Sequence, residues 1–174
     1  MPDVRIRLDH SVTPDDTAAL WPVYDAVFAD HPSFAAWRER VWDRHTVRGG
    51  FRLARAYRES ELVGFAYGYI GEPGQWWTDN ARRVLAPDVA DAWLGGHFEL
   101  VSLGVLESAR RSGIGRELIR ALLADLEPGR VLLMATADST DPARRLYASA
   151  GWQVLGPGIG PGTVILGMRT GRAR

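Results

Sequence analysis

Apolar and polar residues alternate through Val4-Arg5-Ile6-Arg7-Leu8, the period of a half-buried strand. After Thr13-Pro14-Asp15-Asp16 the period lengthens, and Leu20, Tyr24, Val27 and Phe28 recur on one face of a helix reaching about Ala29. His31-Pro32 breaks that helix. Ser33 is placed to cap a second one carrying Phe34, Trp37, Val41 and Trp42, which Gly49-Gly50 ends. Residues 51–57 and 62–70 are strand-like and flank the polar Arg58-Glu59-Ser60-Glu61, predicting a hairpin. Residues 71–96 form a long irregular connection holding Trp76, Trp77 and Trp93, with a helical turn expected around 80–84 and another around 89–94. Connections of that length are commonly functional.

Residues 97–106 predict the next strand, and Ile114, Leu118, Ile119, Leu122, Leu123 and Leu126 mark the buried stripe of a helix over about 113–126. Pro128-Gly129 then turns the chain into residues 130–137, a run apolar enough to be a strand covered on both faces. Asp141-Pro142 supplies the N-cap and first position of a helix through Ala150, with Gly151 beyond its end. Residues 152–155 and 163–169 close the pattern as a strand pair, and the tail Gly171-Arg172-Ala173-Arg174 is expected to fray. This order predicts an α/β fold: a central mixed β-sheet with helices on both faces, and a parallel crossover from 97 to 137. The 174 residues show no linker or repeat and read as a single domain.

Composition narrows the chemistry. Basic and acidic residues balance at 21 each, which argues against a nucleic-acid partner held by net charge. Every basic side chain is arginine. The absence of cysteine removes disulfides, thiolate metal sites and a thiol nucleophile; the four histidines have no metal-ligand spacing, so no metal is expected. No apolar run reaches transmembrane length and the first residues have no signal-like apolar region, so a cytoplasmic protein without a membrane partner is the expectation.

The most informative stretch is Arg110-Arg111-Ser112-Gly113-Ile114-Gly115-Arg116, between a strand and a helix. A helix start exposes N–H groups at the positive end of its dipole, glycine admits close approach, and arginine offers a planar fork to phosphate. A pyrophosphate-bearing cofactor fits this arrangement. Glu99 shares its strand face with Val101, Leu103 and Val105, surroundings that favour a proton-accepting carboxylate; His97 is a reserve base. Trp76, Trp77 and Asp79, with Trp93, offer aromatic faces and a carboxylate to a cationic amine.

Together these motifs resemble the GNAT superfamily of acetyl-CoA-dependent N-acyltransferases. Arg110, Gly113 and Gly115 match its Arg/Gln-x-x-Gly-x-Gly/Ala signature, Leu103-Gly104-Val105 resembles the strand that meets the pantetheine arm, and Ala143-Arg144-Arg145-Leu146-Tyr147 with Gly151-Trp152 resembles its second motif. The likeness is concentrated in about 97–152. Thr140 stands where the second motif usually has asparagine, and Trp152 where it usually has phenylalanine. The resemblance implies a single N-acetyltransferase domain that binds acetyl-CoA through residues 103–105, 110–116, Thr140 and Ala143. It further implies Glu99 as base, Tyr147 as acid toward the departing thiolate, and a small-molecule or peptide amine as acceptor. Exposed edge strands would allow a homodimer. A nucleotide phosphotransferase is disfavoured by the missing P-loop lysine; a non-catalytic acyl-CoA-binding or partner-binding module stays open.

Overall fold

The structure, a computed structural model, describes residues 3–171. The tail expected to fray therefore lies, from Arg172 onward, outside the described residues. Seven strands, β1 (Val4–Asp9), β2 (Arg52–Arg58), β3 (Glu61–Gly71), β4 (His97–Val105), β5 (Arg130–Thr136), β6 (Gln153–Pro157) and β7 (Thr163–Arg169), form one sheet in the order β1-β2-β3-β4-β5-β7-β6. β4 and β5 run parallel, whereas β1/β2, β2/β3, β5/β7 and β6/β7 are antiparallel, so the sheet is mixed as the element order predicts. The helices are α1 (Pro14–Phe28), α2 (Phe34–Trp37), α3 (Asp43–His45), α4 (Trp76–Val84), α5 (Pro87–Trp93), α6 (Ile114–Leu123) and α7 (Pro142–Ser149). The chain packs as two compact units: residues up to Tyr69 with Ser102–Ala124, and Ile70–Val101 with the residues from Asp125 onward.

In the first unit α1 begins as its sequence demands. The Thr13 hydroxyl accepts from Asp16 N and the Asp16 carboxylate accepts from Thr13 N, a reciprocal cap of two orphan donors. Asp16 also receives Arg55, whose guanidinium is 2% exposed and spans Asp9 and Asp16 at 2.7 Å each. The Thr13 N–H, assisted by Arg55 against the opposing effect of burial, lowers the Asp16 carboxyl from its ordinary 3.8 to about 2. A depressed carboxyl stabilises the fold above its unfolded value and loses that contribution as it protonates in the native state. Stability is thus expected to fall as pH drops from about 4 to about 2. Chemical denaturation across that window should show a shallower loss in Asp16→Asn.

A π-helical turn (Arg38–Trp42) joins α2 to α3, where the apolar spacing predicts an unbroken α-helix. The wider turn brings residues five apart onto one face, and Trp37 and Trp42 stack with ring centroids 4.9 Å apart. Trp42 Nε1 then donates to the Thr17 hydroxyl on α1 at 3.0 Å, so the buried indole is satisfied. Phe28, expected on the core face of α1, is 38% exposed beside the left-handed Ala29 that ends the helix. α6 buries Ile114, Leu118, Ile119 and Leu122 but stops at Leu123, three residues short of the apolar stripe. There Arg52 NH1 donates to the Leu122 and Ala124 carbonyls, and Asp125 turns into the left-handed region.

In the second unit the expected irregular connection contains two regular helices. Trp77, Ala81 and Leu85 recur every four residues, and Pro87 opens α5 where its missing N–H has no cost. They pack with Ala90, Trp93, Leu94, Leu132 and Ile165 in one cluster. Gly167 makes room for it: a Cβ there would lie 2.8 Å from Trp93 Cζ3. β5 is covered at Val131, Leu132 and Leu133, but Met134 is 37% exposed, so the both-face burial expected of the whole run holds only for that part.

Candidate active site

The arginine-glycine turn lies wholly in the first unit. A 3-10 turn (Glu107–Ala109) follows β4; Ala109 N donates to Leu106 O at 2.8 Å and the Ser112 hydroxyl donates to Ala109 O at 2.6 Å, which closes a compact loop. Arg110 Nε donates to Val105 O at 3.0 Å, tying the strand end to the turn. Gly113 caps α6 with φ +83, and a Cβ there would meet nothing within 4 Å. Glycine is required here by backbone conformation, and the space beside it is open for a ligand. Ile114, Gly115 and Arg116 form the first helical turn, whose N–H groups lie beyond the reach of intrahelical bonding. These features fit a diphosphate.

Arg111 is a non-glycine residue at φ +61, a conformation costing about 1 kcal/mol or more, and such strain gathers at ligand clamps. Arg111→Gly is expected to keep or raise the thermal midpoint while weakening CoA binding several-fold; calorimetry and a melting curve on one sample separate the two effects. Behind the turn, Gly64 and Gly104 allow close packing. A Cβ on Gly64 would sit 3.0 Å from Gly104 O, and one on Gly104 would sit 3.0 Å from Phe65 Cε1 and 3.2 Å from Val27 Cγ1. Leu103 and Val105, on either side of Gly104, are half-buried.

The other candidates lie in the second unit. Glu99 is 3% exposed on β4 and in parallel register with Leu132. Arg82 pairs with Asp91 at 2.7 Å. His97, the reserve base, is fully buried; its Nδ1 accepts from Gly95 N at 3.1 Å, and burial together with Arg130 lowers its proton affinity to about 4. Gly71 accommodates the ring, since a Cβ there would fall 2.2 Å from His97 Nε2. The histidine therefore holds the entrance to β4.

Tyr147 on α7 is 7% exposed and packs edge-on against Trp152, with ring centroids 5.7 Å apart. Burial, with the Asp141 charge second, pushes its phenol up to about 12, so it keeps its proton at neutral pH. Asp141 caps α7 by accepting from Ala143 N and Arg144 N. The Ala143 amide is thus committed, and its exposed small side chain is what it can offer a cofactor. The Thr140 hydroxyl donates to Asp138 Oδ1 at 2.7 Å, which leaves its oxygen as an acceptor for a ligand N–H. The role of Asp138 is absent from the sequence reading; the run Asp138-Ser139-Thr140-Asp141 carries the signal, because short acids favour such turns.

Trp76, Trp77 and Asp79 do not share one environment. Trp76 is 65% exposed, Trp77 is 8% exposed inside the α4/α5 cluster, and Asp79 accepts from Gly74 N at 2.9 Å. Trp93 joins Trp77 in the core, with Arg169 stacked 4.6 Å over its ring. Among the described residues no group of three or more His, Cys, Asp or Glu is arranged to hold a metal.

Residues 17–152 match the model of the acetyltransferase (GNAT) family. The chain belongs to the GNAT acetyltransferase family. It is 39% identical over 98 residues to a GCN5-like protein acetyltransferase of Mycobacterium tuberculosis, a match covering 52% of this chain and 48% of that protein. The chain thus matches about half the length of this curated relative. A GNAT-family acetyltransferase from Desulfovibrio desulfuricans superposes with a TM-score of 0.68 at 18% identity, covering 96% of this GNAT chain and 99% of that one. The PaiA N-acetyltransferase of Thermoplasma acidophilum, solved with coenzyme A, gives 0.63 at 16% identity over 97% and 99%. The mixed sheet is the fold of these acetyltransferases. Among the described residues no helix is long and apolar enough to cross a membrane.

Proposed function

We propose that this protein, acting as one N-acetyltransferase domain, moves an acetyl group from acetyl-CoA to a primary amine by direct attack. The observation that carries the reading is the Arg110–Arg116 turn, with a required glycine at φ +83, open space beside it and a helical first turn behind. Acetyl-CoA, when bound, supplies an activated thioester. The amides of residues 113–116 and the arginine forks hold its diphosphate, and main-chain N–H near Val105 polarises the thioester carbonyl. Glu99 takes the proton that an ammonium must lose before its nitrogen can attack.

The Tyr147 hydroxyl donates a hydrogen bond to the departing sulfur. A phenol near 12 is a weaker acid than an ordinary thiol at ~8.5, so stabilising the thiolate is favoured over complete proton transfer. Holding donor and acceptor together supplies much of the rate. The acceptor class is a small-molecule or peptide amine; the Mycobacterium tuberculosis relative, a protein acetyltransferase by name, supports including protein amines.

The test is a panel of amines (aminoglycosides, amino acids, polyamines, peptide N-termini and peptide lysines), with released thiol measured and the product weighed. Amine-dependent thiol release with an acetyl mass gain is expected. Absence of release across every class, with acetyl-CoA bound, would overturn the reading.

A further inference from the structure

Among the described residues, the buried polar atoms of the second unit without a hydrogen-bond partner include Gln75 Oε1, Thr78 Oγ1 and His97 Nε2. Such groups are rarely left bare in a folded protein, and ordered water is their common partner. The elements that carry them are in contact. Gln75 Nε2 donates to the carbonyl of Ile70, and the next residue, Gly71, is the one on which His97 Nε2 rests. The His97 ring lies 5.9 Å from that of Trp77, which immediately precedes Thr78 on α4.

Their hydrogen-bonding characters are complementary. His97 Nδ1 accepts from Gly95 N, so the neutral ring carries its proton on Nε2 and can only donate there. Gln75 Oε1 can only accept. Thr78 can do both, and it does not bond back to the carbonyl four residues earlier, the usual recourse of a hydroxyl within a helix. One or two waters would satisfy all three, accepting from His97 and donating to Gln75.

Glu99 lies on the same side. Residues two apart on a strand share a face, so His97 and Glu99 point together. Glu99 is in register with Leu132, which belongs to the cluster that Trp77 and Ala81 of α4 cover. We propose that Gln75, Thr78 and His97 hold buried water beneath α4, and that this water donates to the Glu99 carboxylate, making the three residues positioning groups for the base. Their role rests on Glu99 being the base in the proposed reaction. Several charged groups on these elements are engaged: Arg130 on β5 holds the Ala92 and Gly95 carbonyls, Arg82 pairs with Asp91 between α4 and α5, Arg83 donates to the Asn80 side chain, Asp79 accepts from Gly74 N, and Arg169 of β7 covers Trp93.

A donor to a carboxylate favours its ionised form, so removing the donor raises the pH at which the base becomes competent. Thr78→Val keeps the shape and deletes the hydroxyl. The acidic limb of kcat/KM is expected to move up by about one pH unit, the size of one lost hydrogen bond to a charged group. Thr78→Ser should restore the wild-type limb, and CoA affinity should be unchanged in both. A high-resolution crystal structure of the wild-type protein should place water within hydrogen-bonding distance of Thr78 Oγ1 and His97 Nε2. A folded, active Thr78→Val with an unmoved limb, or a dry recess in that crystal structure, overturns the proposal. If no amine supports turnover, the reaction reading fails, and the crystal structure still decides whether the recess holds water.

Discussion

Glu99→Gln is expected to lower kcat by roughly 100- to 1000-fold while leaving CoA affinity unchanged. Glutamine preserves the size of a side chain that is 3% exposed, so the fold should survive, and it cannot accept the proton that an ammonium must shed. The loss should shrink as pH approaches the acceptor's own pKa, because a nucleophile already neutral needs no base. Measuring rate against pH for both proteins, with CoA binding followed by calorimetry, distinguishes this from a packing defect, which would weaken binding and rate together. Equal rates at neutral pH would remove Glu99 from the chemistry.

Arg55→Ala should be the most damaging substitution for stability outside the candidate site. The guanidinium is 2% exposed, and Asp9 and Asp16, at 15% and 21%, both depend on it. Burial alone would depress its proton affinity, but the bonds to Asp9 and Asp16 outweigh that and raise it. Removing one partner of a buried pair leaves uncompensated charge, here chiefly Asp16, because Arg7 still meets Asp9 at 2.8 Å, at a cost of about 3 kcal/mol. For a domain of this size that corresponds to a fall in Tm of about 9 °C. Arg55→Ala/Asp9→Asn/Asp16→Asn should recover part of the loss, because the stranded charges are then absent. A drop below 2 °C in the single variant would show that solvent already screens these acids.

Local chemistry explains why some of this was legible in the chain and some was not. The Thr13 and Asp141 caps, the hairpin, and the glycine at the head of α6 are decided by one to four neighbouring residues, and they appear where the pattern puts them. The regularity of α4 and α5 was hidden because their apolar faces are short and interrupted by Thr78 and Asp79; tertiary burial of Trp77 and Trp93 supplies what local periodicity lacks. The same burial explains the candidate amine pocket. Three aromatic residues close in sequence look like a ligand surface, yet Trp77 and Trp93 complete a core and only Trp76 faces solvent. At the cofactor turn the sequence names the right residue types, while the strain at Arg111 and the tie from Arg110 to Val105 depend on backbone angles that no composition encodes.

The π turn between α2 and α3 has a consequence for how this chain tolerates length changes. A five-residue loop of helix holds one more amino acid than its neighbours, so excising a single position within Arg38–Trp42 would leave a continuous α-helix of ordinary pitch. Backbone bonding would improve, and Trp37 and Trp42, then four apart, would still share a face; regularising the helix without the deletion would instead turn Trp42 by about 100°, away from its partner ring and the Thr17 hydroxyl. The wide turn thus absorbs a surplus residue, conserving the aim of one indole at the expense of helical regularity.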